Sequence, residues 1–520
     1  MPRAGAPNVV VIMTDEQRAD HVGFGGNPLV ATPHLDALAR SGTRFDRAFV
    51  ANPICMPNRA SILTGRLPSA HGTRVNGISL DPDANTFARV LRAQGYRTGL
   101  VGKSHLQNLG KGAEQVLELL AEREGDAVTR NHPHGWDQWE DVERHRHADV
   151  ELPEDFYGFD HVRLVGGYSA NASGHYYQWL LRQGVDPELL QGRQNAAQRY
   201  DDWNQVWQTP MPEELYPTNY IVDRSIDFLS DRAGDDEPFL LWCSFPDPHH
   251  PFAPPKRHYE MYSPSDVDLP ESFADTHEHS MPHYRAMAAE RGHARTFFTG
   301  WAPTEEQFRV AAAVQFGMIT MVDEGVGRLM AALERLGLDD NTVVIFTSDH
   351  GDMFGDHGMM LKHAMHYEAC VRVPLVVRAP GYEPGVSDAL VSSLDIASTI
   401  LDLCGAREYR GMQGQSLVPL LTNPRARPRE TLLVEEDELF SLPGLPGPIR
   451  MRSLVTEHAR LTTYAGHDDG ELFDHDADPL EMRNRWHHDR SRGLRADLTD
   501  LLVQTMLAHA DEGVTPTHTA

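Results

Sequence analysis

The segment "PICMPNRASILTGR" (53–66) places Cys55 two residues before Pro57 and four before Arg59, at the expected mouth of a helix. Residues four apart on a helix share a face. A group at the helix N-terminus feels the positive end of the dipole. Most free cysteines serve as small buried apolar side chains, but that use needs neither Pro57 nor Arg59 at fixed offsets. Acids sit elsewhere: "VIMTDEQ" puts Asp15 and Glu16, and "VVIFTSDHGD" puts Asp349 and His350, directly after apolar runs. Each acid alone reads equally well as a turn or helix-capping residue. As a pair, each at a strand end, they suit one shared divalent cation with hard ligands, Ca²⁺, Mg²⁺ or Mn²⁺. Lys103 and His105 in "RTGLVGKSHL", His249 in "FPDPHHPFAPP" and Lys362 in "GDHGMMLKH" follow at further expected strand ends. Singly, each fits an exposed surface; together they suit an anionic group held by several cations.

Such groups converge only if strands bring them together. Apolar runs at 8–13, 45–50, 97–101, 239–244, 342–347 and 373–378 read as strands. Helical patterns fall between them at 33–41, 59–65, 86–94, 218–229, 304–336 and 394–403. The alternation predicts an α/β fold: a large, mostly parallel sheet with helices on both faces, and a site beyond the strands' carboxyl ends. Residues 105–215 break the pattern. They are rich in His, Trp, Tyr, Gln and Gly, with "GGYSANASGHYYQW" the most loop-like part, and read as a substrate-side insertion suited to a sugar or an aryl group. From about residue 426 to 520, "RETLLVEED", "IRMRSLVTEH" and "ARLTTYAG" read as short antiparallel strands closed by an amphipathic helix. The expected division is a 1–425 catalytic domain and a smaller C-terminal α+β subdomain.

The net charge of −28, from 47 basic and 75 acidic residues, argues against nucleic acid or an anionic membrane as partner. An anionic substrate must then be held by a local positive cluster. Four scattered cysteines form neither a disulfide framework nor a zinc pair. With no signal-peptide pattern and no apolar stretch of bilayer length, a cytoplasmic location is expected. Two His-rich stretches, "RNHPHGW" and "ERHRHADV", read as solvated loop.

Taken together, Cys55-x-Pro57-x-Arg59 followed by Leu63-Thr64-Gly65 resembles the signature of the sulfatase family, within the alkaline-phosphatase-like superfamily. "TPHLDALARSGTRFDRAFV", "GKSHL", "PHHPFAPP", "SDHGDMFGDHG", "RVPLVVRAPG" and "ELFDHDADPLEMRN" resemble further blocks in the family's order, so the likeness spans about 8–486 outside the insertion. The resemblance implies that Cys55 is oxidised to Cα-formylglycine by a formylglycine-generating enzyme, with Pro57 and Arg59 as recognition marks. The hydrated aldehyde would attack a sulfate ester and carry a covalent sulfate. Asp15, Asp349 and His350 would hold the cation, with Glu16 and the modified Cys55 as further ligands. Arg59 would stabilise the hydrate, and Lys103 and Lys362 would bind sulfate oxygens. His249 would protonate the leaving alcohol, His105 would be the base for the second hydroxyl, and Asn76 would contact substrate. Three departures stand out: Asn58 for a small Ser or Ala, Glu16 and Gln17 where many members carry a second Asp, and His350 where many carry Asn. His350 also occurs in relatives that hydrolyse phosphonate monoesters and phosphodiesters, often with manganese. Those relatives tend to lack the Lys103-x-His105 pair. A phosphonate or phosphodiester hydrolase is therefore the alternative, and a non-catalytic binding protein the remote one. Self-association into a homo-oligomer is a further expectation for an acidic α/β enzyme of this size.

Overall fold

Every residue of Asn8–Thr14 (β1) is buried, as expected of a strand covered on both faces. Its side chains divide by the two-residue period of a strand. Val9, Val11 and Met13 enter one apolar core, and Val10 and Ile12 enter the other. The computed structural model describes residues 5–110, 131–294 and 299–515. The strands joining β1 in one sheet are β2 (Thr43–Phe45), β3 (Arg97–Gly102), β4 (His161–Gly166), β5 (Ser173–Gly174), β6 (Phe239–Ser244), β7 (Thr342–Ser348), β8 (Leu375–Arg378) and β9 (Gly385–Ser387). They lie in the order β9-β2-β8-β7-β1-β6-β3-β4-β5. Only β5 and β8 run against the others.

Helices α1 (Pro33–Ser41), α2 (Cys55–Thr64), α3 (Phe87–Ala93), α4 (Pro217–Arg232), α5 (Glu305–Arg335) and α6 (Asp395–Leu403) cover the sheet. Leu35, Ile221, Phe228 and Leu329 of α1, α4 and α5 fill one core. Ala60, Leu63, Leu91 and Ile400 of α2, α3 and α6 fill the other. Thr304 and Gln307 form a reciprocal capping box that starts α5.

A smaller antiparallel sheet follows, β10 (Thr431–Glu438), β11 (Ile449–Thr456), β12 (Ala459–Tyr464) and β13 (Gly470–Asp474), in that order. Helix α7 (Arg492–Ala508) packs Leu498 and Leu502 against it. Here Arg460, 1 % exposed, donates to Glu481 (Nε to Oε1, 2.7 Å) and to Glu471 (3.0 Å), with its guanidinium over the Phe473 ring.

Several local expectations are corrected. The single strand expected at 45–50 is two, β2 and Ala48–Phe49, because charged Asp46 and Arg47 interrupt the apolar run. Helix α2 begins at Cys55, four residues earlier than its pattern suggested. Part of the 105–215 stretch extends the main sheet as β4 and β5, and "GGYSANASGHYYQW" ends inside helix His175–Arg182. Residues 111–130 of that stretch lie outside the described residues. Val142–His147 is a helix with buried His145, not a solvated loop. Among the described residues no helix is long and apolar enough to cross a membrane.

Candidate active site

The parallel register places four adjacent strand ends side by side. Thr14 pairs with Ser348, Met13 with Ser244, and Gly102 with Ser244. The residues leaving β7, β1, β6 and β3 therefore meet: Asp349 and His350, Asp15 and Glu16, His249 and His250, Lys103 and His105. Helix α2 points its N-terminus at this edge, and all ten of its residues are buried. Cys55 Sγ lies 3.0 Å from His350 Nε2 and 3.7 Å from Asp15 Oδ1. One turn on, Arg59 Nε donates to Asp349 Oδ2 at 2.7 Å, and its Nη1 donates to the Lys103 carbonyl and to Ser244 Oγ, each at 2.9 Å. Lys103 Nζ pairs with Asp15 Oδ2. Lys362 arrives differently from expectation. It sits on the loop between β7 and β8, not at a strand end, between Leu361 and His363, both at positive φ. Its Nζ lies 3.0 Å from Glu16 Oε1, 3.1 Å from His249 Nε2 and His350 Nε2, and 3.6 Å from Cys55 Sγ.

Asp15, Cys55, Asp349 and His350 offer ligand atoms all within 4.8 Å of one another. His350 Nδ1 lies 2.8 Å from the Gly351 carbonyl. Donation there leaves the Nε2 lone pair facing the acids, the arrangement of a metal-ligating imidazole. Arg59 Nη2 and His105 Nδ1 are buried without hydrogen-bond partners. Hard carboxylate oxygens, one imidazole and a buried guanidinium N–H group without a hydrogen-bond acceptor fit a divalent cation with an oxyanion beside it. Glu16 stands apart from this group. Its Oε2 lies 2.8 Å from His250 Nδ1 and 3.3 Å from His249 Nε2, and its Oε1 faces Lys362. The carboxylate expected as a cation ligand thus faces the cationic side of the site.

Electrostatics follows from burial and neighbours. Burial works to raise the Glu16 carboxyl, but His249, Lys362 and His250 outweigh it and hold it well below its ordinary value. Burial, reinforced by Lys103, depresses His105, and burial depresses His249 despite Glu16. His350 is raised: burial opposes its charge, but Asp349 and Cys55 together overcome that penalty. Lys362 is held cationic against burial by Cys55 and Glu16.

Asn76, expected at the substrate, is exposed, and its Oδ1 accepts the Met56 N–H at 3.1 Å, capping α2. Asn58 also acquires a role. It donates to the Asp349 carbonyl and accepts from Ala51 N–H (3.1 Å) and Ser393 Oγ (2.8 Å). A smaller residue could not span those three groups. Sequence reasoning missed three side chains. His250 was visible only as the second half of a His doublet. Glu140, buried, accepts the N–H groups of His105, Leu106 and Gln107 at 2.6–3.0 Å, and nothing in its local sequence marks it. Tyr168 stacks on His249 with centroids 4.0 Å apart and lies within the segment read as loop.

Comparison with known proteins assigns the chain to a family. A family model described as Sulfatase matches residues 7–406, and one described as N-sulphoglucosamine sulphohydrolase, C-terminal, matches 355–508. An arylsulfatase of Clostridium perfringens is 29 % identical over 92 % of this chain and 90 % of its own. A choline-sulfatase of Rhizobium meliloti is 28 % identical, over 95 % and 85 %. Among solved structures, a phosphonate monoester hydrolase from Silicibacter pomeroyi superposes with a TM-score of 0.76 at 25 % identity, covering 97 % of this chain and 96 % of that one.

Proposed function

The chain belongs to the sulfatase family and is a sulfuric ester hydrolase, and on that premise we propose how its own residues divide the work. Asp15, Asp349, His350 and the side chain at position 55 hold one divalent cation, with Ca²⁺ the first choice and Mn²⁺ or Mg²⁺ the alternatives. When bound, the cation makes a hydroxyl at position 55 easier to deprotonate. The Cys55 sulfur stands where the oxygens of the formylglycine hydrate belong. A formylglycine-generating enzyme is the implied modifying partner.

Arg59 holds Asp349 through Nε and directs Nη2, 3.7 Å from Asp15 Oδ2, into the site. Lys103 and Lys362 approach from two sides, where they can grip sulfate oxygens and offset the charge that grows on them. His249 Nε2 delivers a proton to the departing alcohol, and His105 Nδ1, buried and unpartnered, accepts one from the second hydroxyl. Glu16 fixes Lys362 and the His249–His250 pair. The observation supporting this most directly is the position of Cys55 Sγ: 3.0 Å from His350, 3.7 Å from Asp15 and 3.6 Å from Lys362.

A second reading, a phosphonate monoester or phosphodiester hydrolase, is favoured by His350 and by the phosphonate hydrolase neighbour. Lys103 and His105 favour the sulfate ester. Steady-state kinetics on cation-loaded protein decides between them, with conversion of Cys55 verified by mass spectrometry of the 53–66 peptide. An aryl sulfate is expected to give the higher kcat/KM. A higher value for an aryl phosphonate reverses the assignment.

A further inference from the structure

Tyr168 has both ring faces occupied by groups of the reaction. Lys103 Nζ lies 4.1 Å from the ring centroid. The His249 imidazole stacks at 4.0 Å with planes 20° apart. A cation and a flat ring cannot share one face at these distances, so they take opposite ones. The column continues to His250, stacked 4.1 Å from His249 at 24°, and ends on Glu16, 2.8 Å from His250 Nδ1.

Tyr168 is half-buried and belongs to none of the four apolar cores among the described residues. Its place is set by polar anchors instead. The next residue, Ser169, lies with its Oγ 2.9 Å from the Tyr216 hydroxyl, which donates to Asp247 Oδ1 at 3.4 Å. Thr218 donates to the other Asp247 oxygen at 2.6 Å. Asp247 is two residues before His249, so one hydrogen-bonded chain ties the Tyr168 segment to the loop it stacks on.

Stacking fixes the plane of an imidazole while using neither of its nitrogens, and a cation over the opposite face is attracted to the ring. His249 Nδ1 is already committed to the His250 carbonyl. With Tyr168 on one face and His250 on the other, Nε2 is confined to the line of Lys362 Nζ, 3.1 Å away. We propose that Tyr168 is a positioning residue for departure of the alcohol: sandwiched between Lys103 and His249, it holds His249 Nε2 against the leaving oxygen. The oxygen takes the electron pair of the breaking S–O bond and a proton from Nε2, which draws that proton in turn from the Lys362 ammonium 3.1 Å away. This rests on His249 being the proton donor proposed above.

The test compares wild-type protein with Tyr168→Phe and Tyr168→Leu, all carrying formylglycine and loaded with cation, on aryl sulfates whose phenols range widely in acidity. Tyr168→Phe keeps the wild-type dependence on the phenol. Tyr168→Leu loses roughly 10–100-fold in kcat/KM for the least acidic phenols and under about threefold for the most acidic, because only poor leaving groups need a well-placed acid. A merely structural role would lower every ester by one factor. Independently, the His249 ring-proton NMR signal, assigned by its loss in His249→Asn, is displaced upfield by ring currents in wild type and Tyr168→Phe, and moves downfield in Tyr168→Leu. A uniform loss across the esters, or an unmoved His249 signal in Tyr168→Leu, overturns the positioning role. Failure of wild type to cleave any of the sulfates overturns the sulfatase assignment instead, while the NMR shift still decides whether Tyr168 orients His249.

Discussion

Replacing Lys362 by Met keeps the stem and removes one charge from the centre of the site. Nζ lies 3.6 Å from Cys55 Sγ, which marks where the reacting oxygen would sit. At that separation, and an effective dielectric constant of about 20, a pair of unit charges is worth roughly 4–5 kcal/mol. Charge on the sulfuryl group is shared among three oxygens, and about half of it faces Lys362. The expected loss is therefore about 2–3 kcal/mol of transition-state stabilisation, or roughly 100-fold in kcat/KM. The same change leaves Glu16 buried with His250 and His249 as its remaining partners. Stability should fall by about 3 kcal/mol, within the range for removing one partner of a buried ion pair. The double variant Lys362→Met/Glu16→Gln separates the two effects: it should regain most of the stability and none of the activity. The assay is kcat/KM on an aryl sulfate, with conversion at position 55 checked in each variant, alongside denaturant unfolding. A loss below tenfold in fully converted Lys362→Met would refute the claim that this lysine meets the charge of the reacting group.

Two further outcomes concern stability. Glu481 is held down to about 2, because burial, which raises a carboxyl, is outweighed by Arg460 and His475. A depressed carboxyl contributes stability above its ordinary value and loses it as pH falls toward the folded one. That contribution, on the order of 3 kcal/mol, should fade between about pH 4.5 and 2, and Glu481→Gln should flatten this part of the pH–stability curve. An unchanged slope in the variant counts against the buried pair. Asn58→Ala leaves the Asp349 carbonyl without its donor and Ser393 without its acceptor, while Ala51 N–H keeps Ser393 Oγ at 3.0 Å. It should cost about 2–4 kcal/mol in denaturant unfolding and weaken divalent-cation binding measured by calorimetry. A cost under about 0.5 kcal/mol would mean that Asn58 does not brace the Asp349 loop.

Strand-end acids, the Cys55–Arg59 pair and the central strands were legible in the sequence because each is a local pattern. An apolar run names a strand, and the residue after it must lie at the strand's end. The offset of four between Cys55 and Arg59 puts both on one helical face whatever surrounds them. Lys362 was legible as a residue but not by its place, since a loop threaded through left-handed Leu361 and His363 has no periodicity to read. The rest depended on neighbours in space. The nearest side chain in sequence to Asp15 is Glu16, yet Asp15 turns toward Cys55, Lys103 and Arg59, while Glu16 turns toward His249, His250 and Lys362. Two adjacent residues leaving a strand point in opposite directions, so only the strands on either side of β1 decide what each one meets. Tyr168, Glu140 and Asn58 act on groups from dozens to hundreds of residues away. No spacing within one chain segment encodes such contacts; they exist because parallel pairing sets β7, β1, β6 and β3 edge to edge.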